Sequence, residues 1–295
     1  MSLAQRLGVR HSIVQAPMAN VQAAALAVAV SEAGALGSIA GATLSADQLR
    51  ATIREVRAAT GAAFGVNLFA PPYLREDVFA VVLEERPAVF SFTFGPVDPA
   101  PLREAGIVVL GTATTVEEAR ALDADVVVAQ GAEAGGHRGT FIGSFEDGLV
   151  PLAELVPQIV AAVDVPVIAA GGLMDGRDIA RMLELGAQGV QLGTAFLFTP
   201  ECGAPQAWLD ALRTHETVVT PAYTGRHARA ARTPFLEELM AGPPPLPYPE
   251  QRAAVAARPG AEGLYLGGTE ARRGRDMPAA DLVRTLVAET EAASS

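Results

Sequence analysis

Lysine is absent from this chain: all 22 basic side chains are arginines. That removes a P-loop lysine, a lysine Schiff base and an anchor for pyridoxal phosphate. Cysteine is nearly absent. Cys202 stands alone, which excludes an intrachain disulfide and a cysteine-based zinc cluster and suits a reducing, cytoplasmic setting. No apolar run is long enough to cross a bilayer. The least polar stretch, Ser12 to Ser31, is broken by Gln15, Pro17, Asn20 and Gln22. A signal peptide is the competing reading of this end, with Arg6 and Arg10 ahead of the Ala-rich Ala23 to Val30, but Pro17 and Asn20 sit where its apolar core belongs. Basic runs are also missing, and the net charge is −11, so neither nucleic acid nor an anionic membrane is an expected partner. What is present is ample core material: half of the 295 residues are apolar and 19% are charged.

The first 200 or so residues alternate two textures. Short β-branched runs at Ile13–Met18, Leu36–Ala40, Phe64–Phe69, Val89–Phe94, Ile107–Thr112, Val126–Gln130, Val165–Ala170 and Gly189–Thr194 read as strands. Helical segments fall between them. Ser45–Thr60 opens on a capping Ser and repeats Leu49, Ile53 and Val56 on one face. Asp175–Gly186 opens on Asp, and Thr115–Leu122 carries Glu117 and Glu118 in its first turn, where the helix dipole favours them. Strands alternating with helices predict a parallel sheet, and the continuous apolar runs predict that both faces are covered. Eight units predict an α/β fold of the (β/α)8 TIM-barrel type, a doubly wound sheet being the alternative. After Phe198 the pattern breaks into a Pro-rich, irregular stretch. The expected organisation is a barrel over 1–199, completed by a C-terminal helix within 276–295, with a small, mainly helical cap over 200–275.

In such a barrel, chemistry gathers at the C-terminal strand ends. Gly171-Gly172 follows the seventh strand and Gly193-Thr194 the eighth, leaving backbone N–H groups open to a phosphate; the plainer reading of each is a tight turn. No Asp/Glu cluster suggests Mg²⁺, no His–carboxylate zinc spacing occurs and Gly-x-Ser-x-Gly is absent, so no metal is expected. A phosphate held by glycine amides without metal suits a phosphorylated cofactor, and FMN is the natural candidate. His137, in the glycine-rich loop after the sixth strand, could move a proton at neutral pH, or be a surface histidine. His227 could reach the mouth, while His11 precedes the first strand and reads as structural. Asn67 and Gln130 at strand ends could meet the N and O edge of a flavin or satisfy loop backbone. Met18 could pack on a ring or in the core, and Arg138 could add positive potential or face solvent.

Several segments together carry a family resemblance: Ile13–Ala19 (IVQAPMA), Phe64–Phe69 (FGVNLF), Gly111–Thr115 (GTATT), Gln130–Gly139 (QGAEAGGHRG), Ala169–Leu173 (AAGGL), Gly186–Phe196 (GAQGVQLGTAF) and Thr224–Arg229 (TGRHAR). With these the chain resembles the nitronate monooxygenases, FMN-dependent (β/α)8 enzymes, over nearly its whole length. The resemblance implies oxidation of alkyl nitronates, and of nitroalkanes, by O2 to a carbonyl compound and nitrite. It implies His137 as base or nitronate-binding residue. It also implies FMN contacts at Asn67, Gln130, Gly135, Gly172, Gln191, Leu192, Gly193 and Thr194, with the backbone of Ala16, Pro17 and Met18 near the ring. FMN-dependent NAD(P)H reductases of the enoyl-acyl-carrier-protein or quinone type share the barrel and the Gly-Gly-His region and are the alternative. The oligomeric state is open, and a homo-oligomer is compatible with the sequence.

Overall fold

A computed structural model describes the chain apart from Asn20, Gly260, Glu262 and Ser295, so these four positions of the expected segments lie outside the described residues. Among the described residues eleven strands form two sheets: β1 (Ile13–Gln15), β2 (Gly37–Ala40), β3 (Phe64–Phe69), β4 (Val89–Thr93), β5 (Val108–Ala113), β6 (Val126–Gln130), β7 (Gly136–His137), β8 (Val167–Ala170), β9 (Gly189–Leu192), β10 (Thr217–Thr220) and β11 (Ala228–Ala231). The larger sheet is parallel, in the order β1-β9-β8-β6-β5-β4-β3-β2, and a parallel bridge from Val14 to Leu36 joins its ends. This is the expected (β/α)8 barrel. No helix among the described residues is long and apolar enough to cross a membrane.

Strand alternation divides the core into layers. Val126 and Val128 of β6 point inward and join Val14, Leu36, Val89, Leu110 and Ile168 in the barrel lumen; Leu3 and Leu7 of the N-terminal helix Leu3–Leu7 close the lumen at the N-terminal ends of the strands. Val127 and Ala129 of the same strand point outward to Leu155, Val156 and Ile159 of the helix Leu152–Val160. Both faces are dry, which is why these strands read as unbroken apolar runs. The helix Ala46–Ala59 is capped as its sequence predicts: Ser45 and Gln48 bond each other's backbone N–H groups. The helix Ala279–Ala293 packs between Gly176–Glu184 and Ala23–Glu32, beside the last and first barrel units.

Several strand ends fall short of the expected bounds, each for a local reason. β1 stops at Gln15 rather than Met18 because Pro17 has no N–H to continue the ladder. β4 stops at Thr93 because Phe94 turns to φ +82°. β9 stops at Leu192 because Gly193 starts the short helix Thr194–Leu197. The excursion over 200–275 holds the helices Gln206–Thr214, Pro234–Met240 and Glu250–Ala256, but also the antiparallel ribbon β10–β11. That ribbon was not legible in the sequence, because Ala228–Ala231 carries three alanines, a residue depleted in strands. Its second strand pairs with β7, setting Ala228 opposite His137 and Arg229 opposite Gly136. The excursion is therefore tied directly to the loop that carries the histidine.

Candidate active site

A cavity of about 350 Å³ opens at the C-terminal ends of the barrel strands, within the size range of small-ligand sites. His137 and every residue expected to contact the cofactor line it. Ala16, Pro17 and Met18 come from the end of β1, Asn67 from β3, Gln130 from β6, and Gly135 and His137 from the following loop. Gly171 and Gly172 follow β8, and Gln191, Leu192, Gly193 and Thr194 close β9. The excursion supplies the outer wall, with Tyr223, Thr224, Tyr248, Arg252 and the return segment at Gly267 and Gly268.

The glycine end is built for close approach. Gly171 and Gly172 have φ +130° and +70°, a backbone that side chains rarely adopt. Thr194 accepts a hydrogen bond at Oγ1 from the Gly268 N–H at 2.9 Å, which leaves its own proton to donate. Gly135 packs so tightly beneath the return segment that a Cβ there would lie 2.5 Å from the Gly267 carbonyl carbon. Glu270 also lines this end and is paired with Arg273 at 3.5 Å.

The two strand-end amides play different parts. Asn67 donates both Nδ2 hydrogens, to the Ser91 carbonyl at 3.1 Å and the Ser91 hydroxyl at 3.0 Å. A carbonyl can only accept, so the amide orientation is settled and Oδ1 remains as an acceptor. Gln130 instead serves its own loop: Nε2 donates to the His137 carbonyl at 3.1 Å and Oε1 accepts from the Gly139 N–H at 2.8 Å. The Gln191 side chain makes no hydrogen bond to a described residue, so its whole amide is available to a ligand. Met18 both lines the cavity and packs against the core.

His137 stands edge-on to Phe94 and Tyr248, with ring centroids 6.0 and 5.6 Å away. Its Nε2 lies 3.1 Å from the Thr224 hydroxyl, which also lies 2.8 Å from the Arg226 carbonyl. Thr224 has one proton for these two acceptors, so its rotation decides which ring nitrogen of His137 carries hydrogen. Burial, then Arg226 and Arg252, push the imidazole pKa down to about 4. His137 is thus neutral at physiological pH.

Three arginines hold the loop that presents it. Arg138 is 1% exposed and does not line the cavity, so of the two expectations for it the solvent-facing one does not hold. Its guanidinium donates to the carbonyls of Gly131 at 2.7 Å, Gln130 at 3.0 Å and Gly148 at 2.9 Å. Burial, then the charge of Arg229, lower its pKa to about 10. Arg226 donates to the Thr140 carbonyl at 2.7 Å and lies 3.8 Å over the Phe94 ring. Arg229 donates to the Ala132 carbonyl at 2.7 and 3.2 Å. Glu118, expected to serve the helix dipole, is fully buried and grips the far side of the loop. It accepts from the Phe141 N–H, from the Ile142 N–H at 3.0 Å and from both Thr114 donors. His227 does not line the cavity; its ring stacks on Phe145 at 3.6 Å.

Thr224 and Arg226 were quoted only as part of a motif, and Tyr223, Tyr248, Arg252 and Gly268 were missed. Nothing in their local sequence marks them, since each acquires its place through tertiary packing of the excursion.

The comparisons with known proteins agree with this architecture. The family model described as nitronate monooxygenase matches residues 2–82 and 75–289. The chain belongs to the nitronate monooxygenase family. As a member it is an enzyme. A relative named nitronate monooxygenase from Pseudomonas aeruginosa is 41% identical, over 96% of this chain and 97% of its own. Among solved structures, a nitroalkane oxidase from Streptomyces ansochromogenes superposes with a TM-score of 0.90 at 40% identity, covering 98% of each chain. FabK from Thermotoga maritima superposes at 0.83 with 30% identity, over 98% of this chain and 96% of its own.

The clamp on the loop is testable. Arg138→Met should leave the barrel folded but expose Phe141 and Phe145 to chymotrypsin. Limited proteolysis of the variant should cut within 139–148 at protease doses the parent survives.

Proposed function

We propose that this enzyme oxidises alkyl nitronates, and nitroalkanes, with O2 to a carbonyl compound and nitrite, using FMN. One observation carries the reading: a neutral histidine and a glycine cradle that suits an anion share one cavity. The residues present fit the cofactor. The amides around Gly171, Gly172 and Gly193, with the Thr194 hydroxyl, would hold the phosphate at the start of the helix Thr194–Leu197. The free Oδ1 of Asn67 would accept from a ring N–H, and the uncommitted Gln191 amide would serve the ring's oxygens and nitrogens. Gly135, and Ala16 to Met18, would offer backbone. Gln130 contributes chiefly by fixing the His137–Gly139 turn. FMN, when bound, supplies a redox centre that accepts an electron from the nitronate and passes it to O2.

The protein's own part is binding and proton handling. With the Thr224 proton on the Arg226 carbonyl, Nε2 of His137 is the hydrogen-bearing nitrogen and Nδ1 keeps a lone pair, the form that takes a proton from a neutral nitroalkane. With the Thr224 proton on Nε2, Nδ1–H becomes a donor to a nitronate oxygen. A pKa near 4 makes the imidazole a weak base and favours the second role. The isolated, buried Cys202, its thiol pushed up to about 12 by burial, fits a reducing cytoplasm.

The decisive experiment supplies the FMN-loaded protein with ethylnitronate and O2, and in parallel with NADH under anaerobic conditions. Nitrite release with O2 uptake, and a flavin that NADH does not bleach, is the expected result. Bleaching by NADH with ethylnitronate inert would move the enzyme to the reductase reading. His137→Ala should retain FMN and lose activity on ethylnitronate and neutral nitroethane alike, as the hydrogen-bonding role requires. A roughly 10²- to 10⁴-fold loss on nitroethane with a smaller loss on ethylnitronate would instead assign proton abstraction to the imidazole.

Two further outcomes follow from the geometry. Protonation of His137 occurs only as pH falls toward 4, so kcat/KM for preformed nitronate should show no histidine inflection between pH 5 and 8. Gly172→Val, strained at φ +70° and pressed to 3.0 Å from the Glu133 Cβ, should distort the glycine turn and purify without stoichiometric flavin.

A further inference from the structure

Four guanidiniums stand around the histidine loop, and three are engaged with its backbone. Arg138, Arg226 and Arg229 each donate to loop carbonyls. Arg252 differs. It sits on the helix Glu250–Ala256, half-buried, and lines the cavity together with His137, Tyr223, Thr224 and Tyr248. Among the described residues its guanidinium forms no hydrogen bond and no ion pair. The one carboxylate lining the cavity among the described residues, Glu270, lies at the glycine end, beside Gly172, and is paired with Arg273. The cavity thus has an aromatic wall with one uncommitted cation set into it.

We propose that Arg252 binds the anionic head group of the substrate and selects the nitronate over its neutral nitroalkane. The inference rests on the functional reading above and names the residue that gives it specificity. A nitronate carries its negative charge on two coplanar oxygens attached to one nitrogen. The planar fork of a guanidinium matches two such oxygens, whereas an ammonium meets them as a point charge. A cation in a partly desolvated wall attracts that anion and leaves a neutral nitroalkane with only its dipole to offer. His137 supports the assignment, because the field of Arg252 is one of the causes that keep its ring neutral. Among the described residues Arg252 is the one arginine that lines the cavity, on the same wall as His137.

The test uses the FMN-loaded enzyme and its Arg252→Gln and Arg252→Lys variants. Nitrate serves as an inert planar anion, titrated while the flavin absorbance is followed, alongside kinetics on ethylnitronate and neutral nitroethane. Arg252→Gln should weaken nitrate binding roughly 10- to 100-fold, the scale of one charge-assisted hydrogen bond, and lower the preference for ethylnitronate over nitroethane in KM by a similar factor. Arg252→Lys should recover part of both losses, because it keeps the charge without the fork. Should Arg252→Gln prove poorly folded, judged by flavin content, Arg252→Lys alone decides: nitrate affinity equal to the parent's overturns the two-point contact. Nitrate affinity and preference unchanged in Arg252→Gln overturn the proposal while leaving nitronate oxidation standing. Arg252-dependent nitrate binding in an enzyme that does not consume ethylnitronate would overturn the functional reading and, with it, the substrate named here.

Discussion

The geometry of the histidine loop depends on buried guanidiniums bonded to loop carbonyls. The loop from Gln130 to Gly148 runs across the barrel mouth with little regular structure beyond the two residues of β7, so its carbonyls lack sheet partners. Arg138, Arg226 and Arg229 supply the missing donors from both ends of the functional region. Charge-assisted bonds of this kind are stronger than neutral ones, and a guanidinium can serve several acceptors from one rigid plane. Arg138 does this most fully, gathering carbonyls from Gln130, Gly131 and Gly148 around a single side chain. The residue next to the histidine is thereby a fixed point, and His137 inherits its position.

This arrangement has an electrostatic cost that shapes the chemistry. Burial lowers the pKa of all three arginines, and none of them is relieved by an ion pair among the described residues. Glu118 supplies negative charge nearby, but its oxygens are turned to backbone N–H groups and to Thr114. Glu133 offsets part of the charge of Arg138 and Arg229. At His137 itself burial, then Arg226 and Arg252, disfavour the imidazolium. The same two cations would favour an anion beside the ring, so a neutral imidazole and the proposed anion site would share one cause.

The fold was largely legible because its signals are local. A β-branched run, a capping Ser45 or Asp175, and a pair of glycines after a strand each act within a few residues, and all eight barrel strands were found near their true positions. The glycine cradle was legible for the same reason. The excursion was not. Thr224 meets His137 across 87 positions and Arg229 meets Ala132 across 97, so no local pattern announces either contact. The burial of Arg138 is not legible, because a lone arginine in a glycine-rich loop is compatible with solvent until its carbonyl partners are known. Glu118 sits in the first turn of a helix, as the dipole argument requires, yet its side chain turns to the backbone of a loop over 20 residues ahead.

The ribbon explains why the histidine loop and the excursion must act together. Without β11, β7 has no partner, and its two residues could not by themselves form a strand. The same ribbon carries Arg229 onto the Ala132 carbonyl, and the turn before it carries Thr224 to the imidazole and Arg226 to the Thr140 carbonyl. The excursion therefore orders the loop, orients the ring and walls the cavity through one connected set of hydrogen bonds. Arg252, some twenty residues further on, belongs to the wall but not to that set. A cation left out of every structural bond can respond to a ligand without loosening the loop, and that separation is what a substrate-binding charge requires.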